Sequence, residues 1–150
     1  VAIFGQRLKG YTDALADAGI TIGNEYITEG GISIESGKRC MQQLLALETP
    51  PDGVFAVEDF TALGAMQAIK EAGLRIPEEV ALIGFANEAF GAYITPSLSS
   101  VDQQTIRMGE EAAKLLFDHV EKADFYTSAP AKKVLEPVLV YRQSSLKKET

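Results

Sequence analysis

Short apolar runs alternate along this chain with segments whose apolar residues recur every three or four positions, and that alternation restricts the fold more than any single motif. VAIF (1–4) reads as a strand, followed by QRLKGYTDALADAG, in which Leu8, Tyr11, Leu15 and Ala18 share one helical stripe before Gly19 ends it. NEYIT (24–28) reads as a second strand and leads through EGGIS into IESGKRCMQQLLALE, where Met41, Leu44 and Leu45 continue the helical period from Ile34. After the turn PPDG, VFAV (54–57) is a third strand; DFTALGAMQAIKEAG then sets Ala62, Ala65, Met66, Ile69 and Ala72 on one face, with Gly73 as its C-cap. IPEE turns into VALIGF, the fourth strand. This β-α-β-α-β-α-β order with mostly apolar strands predicts an α/β fold, a parallel sheet flanked by helices on both faces and joined by right-handed crossovers.

Beyond Phe85 the pattern changes. ANEAFGAYITPSLSS (86–100) is small and contains Pro, so a connection or hinge is expected there. An amphipathic helix follows at about 105–122, with Ile106, Gly109, Ala113, Leu116, Phe117 and Val120 on its apolar side. KKVLEPVLVYR alternates and is broken by Pro137, which suits an edge strand at about 134–142.

Composition excludes several classes of function. The 150 residues are 46% hydrophobic and 23% charged, enough for one ordinary core. Fourteen basic against 21 acidic residues give a net charge of −7, which repels a polyanion unless the basic residues gather on one face. The pairs Lys132/Lys133 and Lys147/Lys148 are too short for that and read as solvated surface. Cys40 is the only cysteine, so there is no disulfide framework and no thiolate cluster for a metal, and a reducing compartment fits. It reads as a packed helix residue, and the only histidine, His119, as a helix-surface residue. No apolar run approaches the roughly 18 residues of a membrane-crossing helix. No charged, apolar leader opens the chain, which begins on Val1 within a strand-like run and so reads as a piece of a longer protein.

In an open parallel sheet every strand delivers its C-terminal end to the same edge, and ligands collect in the crevice outside it. Gln6 and Arg7, Glu29 through Ile32, Glu58 with Asp59 and Phe60, and Asn87 with Glu88 fall along that one rim. A guanidinium fork, carboxylates and an amide suit a neutral polyhydroxylated ligand, with Phe60, Phe90 and Tyr93 as the apolar wall against its C–H faces. Plainer roles stand beside these: Asp59 as the N-cap of the following helix, Arg7 as a surface ion-pair partner, Glu88 as solvated loop.

Catalytic patterns are missing. No G-x-G-x-x-G follows a strand, and in IESGKR a phosphate-binding loop would need Gly at Ile32 and Ser or Thr at Arg39. Glu58 and Asp59 are adjacent, so on a strand end they point apart and do not form an acid/base pair. Glu110 and Glu111 open a helical turn and read as solvated near the positive end of its dipole. No catalytic residue, resident cofactor or metal is expected.

QRLKGYTDAL, PPDGVFAVEDFTALGAMQAIKEAGLRIPEEVALIGFAN, ITPSLSSVDQ and MGEEAAKLL together resemble the effector-binding region of LacI/GalR (lactose-repressor) family transcription regulators, over nearly the whole chain. The resemblance implies a periplasmic-binding-protein type I fold, with two subdomains closing on a small effector, usually a sugar or nucleobase-like molecule, and a preceding helix-turn-helix domain that the 150 residues do not show. It implies that residues 1–100 are the C-terminal subdomain, 101–104 the crossover hinge, 105–125 a helix of the N-terminal subdomain, and 126–150 a return segment with an edge strand. It assigns Arg7 to gripping effector, Ile32 to a position where relatives carry a stacking aromatic ring, Glu58 and Asp59 to ligand hydroxyls, Asn87 to a ligand-binding motif and Gln103 to the crossover. Two positions depart from the pattern: Ala86 replaces the usual ligand-binding aspartate, and Ile32 lacks the ring. Relatives also carry several more residues where Gly5 alone separates VAIF from the arginine helix. The implied protein is a cytoplasmic homodimer that is not an enzyme and meets operator DNA through another domain; a periplasmic sugar-binding transport receptor is the alternative.

Overall fold

Two helices whose small residues face each other form the centre of the molecule. The computed structural model describes residues 2–120, 129 and 131–146. Helix α2 (Ile34–Leu45) starts where Ser33, in an extended conformation, accepts a hydrogen bond from the Ser36 N–H at 3.1 Å. Helix α3 (Asp59–Glu71) packs along it at backbone distance, because neither Gly37 nor Gly64 carries a Cβ: one on Gly37 would strike the backbone of Thr61, and one on Gly64 the backbone of Ile34. Met41 and Leu44 from α2, with Ala62, Ala65, Met66 and Ile69 from α3, fill the core between the pair and the sheet. The helical period in the sequence therefore identified the buried stripe, with Ile34 and Leu45 half-buried and Ala72 exposed as the C-cap ahead of Gly73 at positive φ.

The sheet has the order β1-β2-β3-β4, with β1 (Gly53–Phe55), β2 (Ala81–Phe85) and β3 (Ser99–Asp102) parallel and β4 (Val138–Val140) antiparallel at the edge. Along β2 the side chains alternate, Leu82 and Gly84 buried beneath α3 and Ala81, Ile83 and Phe85 half-buried on the other face. Gly84 is the residue that interrupts this apolar strand, and the cause is Asp59: its carboxylate sits where a Cβ of residue 84 would be. On the opposite face lies helix α1 (Ala2–Asp17), whose Tyr11 ring stacks on Phe55 at 6.2 Å between centroids. Thus α3, with α2 beside it, packs on one side, and α1 touches the other through Tyr11 and Arg7.

Several expectations are corrected. VAIF is not a strand but the first turn of α1, which runs through Gly5 without a break; four apolar residues carry no period of their own, and the helix-forming segment behind them extends forward. NEYIT is not a strand either: Asn24–Tyr26 is a single 3-10 turn, and Ile27, extended, has no strand partner among the described residues. Among the described residues the parallel strands are therefore three, and the third is one the sequence hid. Ser99–Asp102 lies within stretches read as loop (86–100) and crossover (101–104), yet it pairs with β2 from Ile83 to Phe85. A 3-10 turn, Ala89–Ala92, precedes it. Helix α4 (Thr105–Val120) stands where expected, and the edge strand expected over 134–142 is confined to Val138–Val140, after Pro137; residues 121–128, 130 and 147–150, with the expected end of the helix and the pair Lys147/Lys148, lie outside the described residues. Glu111 is not simply solvated, since it lies between Lys114 and Lys133, at 3.3 and 3.7 Å. His119, half-buried, is in the last turn of α4.

The chain beyond β4 closes the sheet. Ser144, fully buried, donates its hydroxyl to the Leu82 carbonyl at 2.7 Å and accepts from the Ser99 N–H at 2.8 Å, and Leu82 N–H donates to the Ser144 carbonyl. These bonds stitch together two strands whose beginnings would otherwise hold unpaired polar groups.

Candidate functional site

Arg7 lies across the C-terminal ends of all three parallel strands. From the second turn of α1 its guanidinium donates to the Val57 carbonyl at 2.7 Å, beyond β1, and to Gln103 Oε1 at 3.5 Å, beyond β3. Between them its carbon sits 3.7 Å from the centroid of the Phe85 ring, at the end of β2. A guanidinium stacked on a ring in this way adds cation–π attraction to its hydrogen bonds. Burial pushes its pKa down, opposed by the charge of Glu58; a guanidinium remains protonated under such a shift.

The adjacent carboxylates divide their work. Glu58 Oε2 accepts from the Phe60 and Thr61 N–H groups at 2.8 and 3.3 Å, so Glu58, not Asp59, is the N-cap of α3. Asp59 turns inward and is fully buried; Oδ1 accepts from the Ser100 hydroxyl and Oδ2 from the Glu88 N–H, each at 2.7 Å. It ties the start of α3 to β3 and to the loop after β2, leaving Glu58 as the half-exposed carboxylate of the two.

Beyond Phe85 the backbone leaves the sheet through Ala86 and Asn87, with φ of 120° and 56°. Both values lie where side chains are rarely accommodated, Asn more readily than Ala, and such conformations persist only where the surroundings impose them. Here they do. Asn87 N–H donates to Ser100 Oγ at 2.9 Å, its Nδ2 donates to Asp102 Oδ2 at 3.2 Å, and its Oδ1 accepts from Arg142 Nη2 at 2.7 Å. Arg142 also donates to the Leu98 carbonyl at 2.6 Å. Ala86, Asn87, Asp102, Gln104 and Arg107 line part of a cavity of about 600 Å³ between the strand ends and α4. That volume lies within the range of small-molecule sites.

Of the residues selected from sequence, Gln103 and Glu58 lie around Arg7, which stacks on Phe85, and Asn87 lines the cavity. Phe60, 43% exposed, pairs with Phe90 at 5.1 Å between ring centroids; Tyr93 is 87% exposed and outside that pair. Ile32, 56% exposed just ahead of α2, has no hydrogen bond or ring contact to either cluster among the described residues. Ser100, Asp102 and Arg142 were missed. No local pattern marks them, because they meet Asn87 only through the β2–β3–β4 pairing. Among the described residues no group of three or more His, Cys, Asp or Glu could hold a metal ion, and no helix is long and apolar enough to cross a membrane.

Residues 3–145 match the periplasmic binding protein-like domain. The chain is 37% identical over 139 residues to the HTH-type transcriptional repressor PurR of Mannheimia succiniciproducens, covering 93% of this chain and 41% of the repressor. Among solved structures it resembles a sugar-binding transcriptional regulator of the LacI family from Escherichia coli complexed with phosphate (36% identity, TM-score 0.82, covering 92% of this chain and 48% of that one). It also resembles the transcriptional regulator CelR in complex with cellobiose (34% identity, TM-score 0.82, 93% and 42%). The chain thus spans less than half the length of these relatives. With Arg7 at the strand ends, a parallel sheet between helices and a match over nearly every residue, the chain belongs to the periplasmic binding protein-like domain family, in its LacI/GalR-type form.

Proposed function

We propose that this chain is the effector-sensing and dimerisation portion of a LacI-type transcription regulator, and that its effector is a sugar or a related small molecule. The observation that carries the reading is Arg7, held across three strand ends beside a cavity lined with hydrogen-bonding groups. Such a rim offers donors and acceptors together with aromatic surface, the mixture a polyol requires. The relatives support it, since they include a transcriptional repressor and a transcriptional regulator in complex with cellobiose. An enzyme is disfavoured because Glu58 and Asp59 are engaged as a helix cap and an internal tie.

In this reading residues 1–100 belong to the C-terminal subdomain, 101–104 act as the hinge, 105–125, with α4, belong to the N-terminal subdomain, and 126–150 are a return segment with the edge strand. Ile106, Leu116 and Phe117 of α4 are 82, 56 and 66% exposed, an uncovered apolar stripe of the kind that another part of a protein covers. Effector would bias the relative placement of the subdomains only through its different affinity for the two placements. A dimer would carry that bias to a DNA-binding domain in the cytoplasm, and its sedimentation mass would be twice the 16.2 kDa of one chain.

A thermal-shift screen of neutral mono- and disaccharides tests the proposal. A true effector raises Tm with the logarithm of its concentration above Kd. The same sugar should change operator binding by the full-length protein. If no saccharide stabilises the chain and none alters operator binding, the reading falls.

A further inference from the structure

The cavity holds a carboxylate that the sequence did not single out. Asp102 is half-buried at the end of β3 and lines the cavity. Its Oδ1 accepts from the Gln104 N–H at 2.6 Å and its Oδ2 from Asn87 Nδ2 at 3.2 Å. Each carboxylate oxygen can accept two hydrogen bonds, so each keeps one free acceptor position. No Lys or Arg forms a direct ion pair with it among the described residues.

Its orientation is fixed from behind. Arg142 has only donors, so the Asn87 atom facing it is the oxygen; Asp102 has only acceptors, so the Asn87 atom facing it is the nitrogen. The guanidinium thus reaches the carboxylate through one amide whose direction both neighbours dictate. Asn87, the residue chosen from sequence as a ligand contact, has its oxygen bonded to Arg142 and acts between the two charges.

We infer that Asp102 is a ligand-binding residue that accepts hydrogen bonds from the hydroxyls of a neutral polyol, and that Arg142 and Asn87 are positioning residues that aim it. This deepens the effector reading above and rests on it. Neutrality follows from the lining. Asp102, Glu110 and Glu111 are matched in number by Arg107, Lys114 and Lys133, and both lysines are already paired with Glu111. An anion entering there meets no net positive charge and faces the Asp102 carboxylate, whereas hydroxyls can both donate to the carboxylates and accept from Arg107.

The test uses glucose, ribose, maltose and cellobiose as probes, with inorganic phosphate as the anionic control, titrated calorimetrically into wild type and the variants D102A, D102N, R142M and R142K. Circular dichroism first establishes that each variant is folded, and D102N serves if D102A is not. The expected result is at least a ten-fold loss of saccharide affinity in D102A and D102N. R142M should lose several-fold, R142K should recover part of it, and phosphate should bind to none. A second readout needs no ligand: the side-chain amide of Asn87, observed by 15N–1H correlation, should shift and exchange faster in R142M. Wild type that binds a saccharide while D102A and D102N match it within two-fold overturns the assignment of Asp102 and leaves the effector reading standing. An Asn87 amide unchanged in R142M overturns the positioning role, and phosphate binding through this cavity overturns the polyol. Wild type that binds no saccharide removes the effector reading, and this inference with it.

Discussion

Replacing Gly84 by alanine places one methyl group at the most crowded point of the site's foundation. The new Cβ lands on Asp59 Oδ1 and comes within 3.3 Å of the Ala62 Cβ. Helix α3 cannot retreat, because Gly64 already meets the backbone of α2. The carboxylate must move instead, and Oδ1 is the atom that accepts from Ser100 at 2.7 Å. Overpacking a tight core costs about 1–3 kcal/mol, and a hydrogen bond to a buried charged group contributes about 1.5–3 kcal/mol. Together they give a loss of about 3–5 kcal/mol for G84A. With a urea dependence of about 2 kcal/mol per molar, the unfolding midpoint should fall by about 1.5–2.5 M. The cause is separable from mere crowding by a double-mutant cycle read from the same urea curves. In a D59A background the methyl group has space, so D59A/G84A should be less destabilised than the sum of the single changes by about 1 kcal/mol or more. A midpoint shift for G84A below about 0.5 M, or an additive cycle, would refute the account of why this strand carries a glycine.

R7A should weaken binding of the effector by about 2 kcal/mol, close to thirty-fold, because a partly buried charged donor is lost; calorimetry showing unchanged affinity would remove Arg7 from the site. E58A deletes the N-cap of α3 and should lower stability by about 1 kcal/mol, measurable in urea. Lys38 bonds Glu71 at 2.7 Å across α2 and α3, and that bond holds the Glu71 carboxyl below its ordinary value of 4.5. Since the folded pKa is depressed, the stabilisation is present above the unfolded value and is lost as pH falls through the folded one. Stability should therefore decline below about pH 4.5, and K38M should flatten part of that decline; identical pH profiles for the two proteins would count against the contact.

How far the sequence could be read varies along the chain, and each success or failure has a cause. Helices α2 and α3 were legible because more than three turns of apolar period fix a buried face, and Met41, Leu44, Ala62, Ala65, Met66 and Ile69 lie on it. VAIF and NEYIT were not, since runs of four or five residues carry no period and nothing nearby shows whether a partner strand exists. β3 escaped notice for a different reason. Ser99 and Ser100 are fully buried in the sheet, but they are polar, and their hydroxyls are satisfied by Asp59, Arg142 and Ser145 from distant segments. A strand whose interior is hydrogen-bonded looks like loop when those partners are out of view.

The sequence by itself determined the α/β class, the family likeness and the buried faces of α2 and α3, because these rest on period, spacing and residue type within short windows, whereas it placed Arg7 on the rim behind a strand, VAIF, that is the first turn of α1. Only the tertiary structure decided the geometry of the rim: that Asp59 faces inward, that Glu58 is the cap, and that Asn87 stands between Arg142 and Asp102. The physical reason is that a hydrogen bond depends on angstroms between atoms, and the 55 residues separating Asn87 from Arg142 are brought to that distance by the pairing of β2, β3 and β4, which no local window contains.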